Sequence, residues 1–147
     1  MEQVLKYAKL IKAYDRSAED DIAKAHLYTG LVLLREGNST EAAKEMNLSA
    51  LKSQTATGAE AQYNLAQLQY KAKKYDKAIE SAFDVINNRS SYDYWVAKSF
   101  IVLADAYAGK GDDFQAKSTL ESIIENYKGE DDIIPSAKER LQKLNNK

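Results

Sequence analysis

Apolar residues recur three and four positions apart along nearly the whole chain, and no segment alternates with the period of two that a half-buried strand requires. Eight helical stretches follow from that spacing. The first runs from Glu2 to about Asp15, with Val4, Leu5, Ala8, Ile11 and Tyr14 on one face. Ser17 with Asp20 reads as the cap of a second helix ending at Glu36, and Asn38 or Ser39 opens a third that ends near Ser53. Thr57 followed by Glu60 has the form of a capping box, opening a helix to about Lys73. Tyr75 to Asn87 forms its partner, and Ser90-Ser91 opens a longer helix reaching Ala108. Asp112 and Asp113 precede a helix ending near Tyr127. Pro135, suited to a first helical turn, starts the last one.

The helices repeat. Small residues stand at Gly30, Ala66 and Ala104, and twelve positions beyond each stands another, at Ala42, Ala78 and Ala116. The intervals are 36 and 38 residues in both sets. Two antiparallel helices approach closely only where side chains are small, and a lone pair cannot bury its apolar stripe, so pairs of this kind stack and share a core.

The segment Ala59-Glu60-Ala61-Gln62-Tyr63-Asn64-Leu65-Ala66, with Tyr75, Ala78 and Ile79 after the turn, resembles the tetratricopeptide repeat family. The segment from Ala97 matches through Leu103, Ala104, Tyr107, Gly111, Ala116 and Leu120, but has a longer approach over Arg89 to Val96. The segment from Ala23 departs in carrying Thr29 where a leucine is usual. The resemblance implies an all-α, right-handed superhelical solenoid of antiparallel helix pairs. Its expected parts are an orphan helix over residues 1–15, repeats over 17–53, 57–88 and 91–127, and a capping helix over 135–146. An orphan helix at the start is expected if the chain is a portion of a longer array. The capping helix has a charged face, Lys138, Glu139, Arg140 and Lys143, of the kind a solenoid end needs.

In this family the first helix of each pair lines a concave groove that holds peptides. The resemblance therefore implies a partner-binding surface made of Lys24, Leu27, Leu31 and Arg35 from the first pair. The second pair would add Glu60, Tyr63, Asn64, Gln67, Tyr70 and Lys71, and the third Lys98, Ile101 and Asp105. One subfamily clamps a C-terminal carboxylate with a basic residue and an asparagine in its first pair. Here Leu27 and Leu31 occupy those places, which argues against that ligand. The aromatic run Tyr92-Asp93-Tyr94-Trp95 either wedges its helix against the preceding one or offers an anchor at the lip of the groove. The long approach and the tail from Ile133 also resemble bacterial cell-envelope members of the family, implying a periplasmic or envelope location if the chain is part of an exported protein and a cytoplasmic one otherwise.

Composition and charge narrow the functional classes. One proline and six glycines leave long stretches free of helix breakers. The 21 basic and 22 acidic residues are intermixed, so the basic stripe that tracks phosphates is missing and nucleic acid is excluded as the expected partner. No stretch reaches the roughly 18 apolar residues of a membrane span. With no cysteine, disulfides and thiolate metal sites are excluded.

Catalytic chemistry finds little to work with. The single histidine, His26, cannot form a His-x-x-x-His metal pair and reads as a packed helical residue. The clusters Glu19-Asp20-Asp21, Asp112-Asp113 and Glu130-Asp131-Asp132 open helices, where carboxylates stabilise the positive end of the dipole. None fits the calcium loop, and Gly109-Lys110-Gly111 lacks phosphate-loop spacing. No cofactor is expected. The expected function is that of a non-catalytic scaffold binding a protein or peptide. Self-association through the first helix, which leaves Val4, Leu5 and Ile11 for a second copy, is the alternative.

Overall fold

The computed structural model describes residues 1–13 and 19–147, and the described residues form eight helices and no strand. They are α1 (Glu2–Ala13), α2 (Glu19–Arg35), α3 (Ser39–Lys52), α4 (Ala56–Lys71), α5 (Tyr75–Asn88), α6 (Asp93–Gly109), α7 (Asp113–Asn126) and α8 (Ile133–Asn145). The expected Tyr14 contact and the Ser17 cap lie outside the described residues. Each helix packs on the next in sequence. In addition α2 touches α4, α4 touches α6, and α6 touches α8, whereas α1, α3, α5 and α7 make no such contacts with one another among the described residues. A stack whose helices meet along one layer and separate along the other curves toward the layer that meets. The chain is therefore a helical solenoid with α2, α4, α6 and α8 on its concave side.

The small residues stand where the argument from spacing needs them. Ala42, Ala66, Ala78 and Ala116 are fully buried, Ala104 is buried to within 1%, and Gly30 is buried against Met46. Three clusters share helices and so form one continuous core. Leu27, Met46 and Leu65 join α2, α3 and α4; Ala66, Ala82 and Leu103 join α4, α5 and α6; Ala104, Leu120 and Ala137 join α6, α7 and α8. Outer helices bury one stripe: Ala78, Ser81, Ala82 and Val85 on α5 are spaced by three and four. The inner α6 is flanked on several sides and buries residues nearly all round, from Ala97 through Ala106.

The three turns within pairs are built alike. Gly37, Lys73 and Gly111 occupy equivalent places, all with positive φ, at 80°, 59° and 85°. In each, the following amide reaches back to close the helix: Asn38 N to Leu33 O at 2.8 Å, Lys74 N to Gln69 O at 2.9 Å, and Asp112 N to Tyr107 O at 2.9 Å. This is the left-handed C-terminal cap that glycine adopts most easily.

Several helix ends differ from the sequence reading. Thr55, not Thr57, caps α4, its hydroxyl accepting from the Thr57 amide at 3.3 Å, while Thr57 itself is buried in the first turn. The helix α6 begins at Asp93 rather than at Ser90-Ser91, because Arg89 is pulled down onto α3. Pro135 sits third in α8, still within the first turn, where its missing amide hydrogen costs nothing. Asn38 and Asp112 cap α3 and α7 by accepting from Glu41 N and Gln115 N.

The loop between α3 and α4 is the most heavily tied junction. Asp20, in the first turn of α2, accepts from the hydroxyls of Ser53 and Thr55, each at 2.6 Å. Buried Arg89 donates from Nη1 to Ser53 O at 2.7 Å and from Nη2 to Ala50 O at 2.9 Å. Those carbonyls form the negative end of α3, so the guanidinium neutralises a helix dipole while satisfying two orphan acceptors. Gly58 makes room: a Cβ there would lie 2.0 Å from Ser53 O and 2.5 Å from Arg89 Nη1.

Candidate functional site

The concave layer brings α4, α6 and α8 around one open cavity of about 120 Å³. Tyr63 and Gln67 line it from α4, Lys98 and Ile101 from α6, and Ser136 and Arg140 from α8. The first four lie on the surface carried over from the family resemblance. The α8 residues do not, since its charged face reads as uniformly solvated in the sequence.

The geometry is that of an aromatic and ionic array. The Lys98 ammonium stands 5.0 Å from the Tyr63 ring centre and 5.5 Å from that of Tyr94. Trp95 packs against both tyrosines, tilted on Tyr63 with centroids 5.5 Å apart and edge-on to Tyr94 at 4.9 Å. Cation–π contacts of this kind contribute about 0.5–2 kcal/mol depending on desolvation. Trp95 is half-buried and its ring meets Tyr63 of α4, one helix further back than the preceding helix expected to receive it, while Tyr94 stays exposed at the rim. Burial pulls the Lys98 ammonium down, but the neighbouring Tyr63 and Tyr94 more than offset this and its net shift is upward, so it stays charged. Glu60, one turn before Tyr63, is pushed up by burial, against the opposing pull of Lys98.

Further along the groove, Arg140 Nε donates to Asp105 Oδ1 at 2.8 Å, and its Nη1 donates to the Ser136 hydroxyl. This pair ties α8 to α6. Tyr70 lies nearby; burial, and then the Asp105 charge, push its phenol upward. Its ring meets Tyr75 at 6.0 Å.

The remaining expected site residues are placed less favourably. Leu27 is 3% exposed, packed into the core cluster of α2, α3 and α4, and Leu31 packs against the same cluster. Lys24 is exposed and paired with Asp20 at 3.0 Å and Asp21 at 3.7 Å. Arg35 and Lys71 are exposed in the last turns of α2 and α4. Asn64 turns its amide back to Glu60 O at 2.9 Å. His26 is buried between α2 and α3, its Nδ1 2.7 Å from Glu45 Oε2. No group of three or more potential metal ligands occurs among the described residues, and no described helix is long and apolar enough to cross a membrane.

Fold and surface define a helical-repeat solenoid with a concave face of aromatic, amide and charged side chains. One tetratricopeptide repeat model matches residues 6–56 and 48–92, and a second model of that description matches 102–129. The chain belongs to the tetratricopeptide repeat family, whose repeats are generally protein–protein interaction modules. Comparison with curated proteins gives no match.

Proposed function

We propose that the chain is a non-catalytic scaffold whose concave face, over α4, α6 and α8, binds a peptide segment of a protein partner. The observation that carries this reading is the convergence of Tyr63, Gln67, Lys98 and Ile101 with Ser136 and Arg140 around one open cavity on the inner layer. Tyrosine, tryptophan and arginine carry much of the energy at protein interfaces, because they bury large areas and keep a polar tip. Here they are already held by one another: Lys98 over two rings, Trp95 against Tyr63, Arg140 on Asp105. Side chains ordered before binding lose less entropy when a partner arrives. The titratable groups of the site serve this positioning. Asp105 is engaged by Arg140, and His26 lies away in the α2–α3 core.

The test is affinity capture from the native source with the wild-type chain and with Tyr63→Ala and Tyr70→Ala, each checked by circular dichroism. Loss of the captured partner with helicity retained supports the groove; unchanged capture refutes it.

A second reading rests on α1. Its Ala8 is buried against the array, but Val4, Tyr7, Leu10 and Ile11 are 42%, 64%, 57% and 38% exposed. Such an apolar stripe fits a second copy of this chain. Sedimentation of the chain with and without residues 1–15 decides it: a monomer in both cases removes this reading.

A further inference from the structure

A second cavity lies on the other face of α6, between that helix and α7, with a volume of about 510 Å³. Its size is within the roughly 300–1,000 Å³ range of ligand-binding clefts. Val96 and Phe100 form one wall and Ile123 and Tyr127 the other, so the interior is mainly apolar. It opens where α7 ends and the chain runs extended through Tyr127, whose φ and ψ are −75° and 134°.

The mouth is acidic. Asp93 lines it and has no ion-pair partner among the described residues. Asp131 accepts a hydrogen bond from the Tyr127 hydroxyl at the same opening, and Glu130 follows Gly129, itself part of the lining. Against these three carboxylates stands one lining cation, Lys128, whose ammonium is engaged by the Glu125 carbonyl at 3.1 Å. The polar groups inside are also occupied: the Asn126 amide donates to Ser122 O at 2.9 Å. What remains on offer is an apolar interior beneath a mouth where three carboxylates outnumber the cations, Lys128 in the lining and Lys98 within electrostatic reach of Asp131.

We infer that this α6–α7 cleft is a second docking site, separate from the concave groove, for a basic peptide segment that inserts one aromatic side chain flanked by lysine or arginine. The ring would replace water against Val96, Phe100 and Ile123, and the flanking cations would face Asp93 and the carboxylates of the following loop. Because α6 stands between the two cavities, one chain can hold a partner in the groove and a basic segment in the cleft at once.

The experiment is a titration of the full chain, isotopically labelled for NMR, with the peptide acetyl-Arg-Phe-Arg-amide. The controls are acetyl-Glu-Phe-Glu-amide and acetyl-Arg-Ala-Arg-amide. Saturable shifts are expected at the amides of Val96, Phe100, Ile123 and Gly129, with both controls weaker by about tenfold or more. Asp93→Lys, which reverses charge at the mouth, and Ser122→Trp, which fills the cleft from an exposed position, should each weaken binding by about tenfold. Gln67→Ala, an uncharged change in the groove lining, should leave it unchanged, which separates this site from the groove. Shifts confined to α4 and α8, equal binding of all three peptides, or indifference to Ser122→Trp would overturn the inference.

Discussion

Replacing Arg89 by alanine removes a side chain that joins the end of α5 to the end of α3. Arg89 is 7% exposed, and its guanidinium donates to two carbonyls at 2.7 and 2.9 Å and approaches Asp84 Oδ2 at 3.4 Å. Hydrogen bonds to charged groups contribute about 1.5–3 kcal/mol each, and truncation leaves Ser53 O and Ala50 O without this donor. Water entering the vacated space recovers part of that, which leaves a net loss of about 3 kcal/mol. For a chain of this length the melting temperature should fall by about 10 °C. Arg89→Lys should recover less than half, because an ammonium cannot reproduce the fork. Gly58→Ala should cost as much by a different route, since its Cβ would meet Ser53 O at 2.0 Å. Urea denaturation followed by circular dichroism gives the loss. Hydrogen exchange should show it concentrated in the last turn of α3 and the first of α4. A loss for Arg89→Ala below about 0.5 kcal/mol would refute the account of this junction.

Three further outcomes are expected. Lys73 holds a left-handed backbone that glycine adopts at the two equivalent turns, so Lys73→Gly should stabilise the chain by about 0.5–1 kcal/mol in the same denaturation assay. Ala66→Leu places extra carbons at a fully buried crossing and should cost about 1–3 kcal/mol, whereas Ala56→Leu, at an exposed position, should change stability by less than about 0.5. The Ser53 hydroxyl, then that of Thr55, hold the Asp20 carboxyl down at about 2, below its ordinary 3.8. A carboxyl depressed on folding stabilises above its unfolded pKa and loses that contribution as pH falls through the folded one, so Asp20→Asn should be less stable than wild type at neutral pH, and the gap should close only as pH falls through about 2.

The fold was readable because its cause is local and periodic. Gly30, Ala66 and Ala104 must be small for helices to cross, and their recurrence survives in a single sequence. Arg89 was not readable, because its acceptors lie 36 and 39 residues earlier and a basic residue ending a helix looks like any solvated one. Arg140 was hidden for a similar reason. It sits among Lys138, Glu139 and Lys143, and only the packing of α8 on α6 turns it toward Asp105. Leu27 shows the limit of carrying positions over from a family, since each residue along a helix turns the side chain by about 100° and a small rotation exchanges groove for core. The capping threonine fell two residues from its expected place because Thr55 and Thr57 are both competent hydroxyl caps, and the tie from Thr55 to Asp20 on another helix favours the first.

Site-specific photocrosslinking decides whether the concave layer is the working surface. The photoreactive residue p-benzoylphenylalanine would replace Tyr63 in the groove or Phe114 on the outer helix α7, where the ring is 79% exposed. The account predicts that a partner captured from the native source is crosslinked from position 63 and not from 114. Crosslinks from 114 with none from 63 would contradict it.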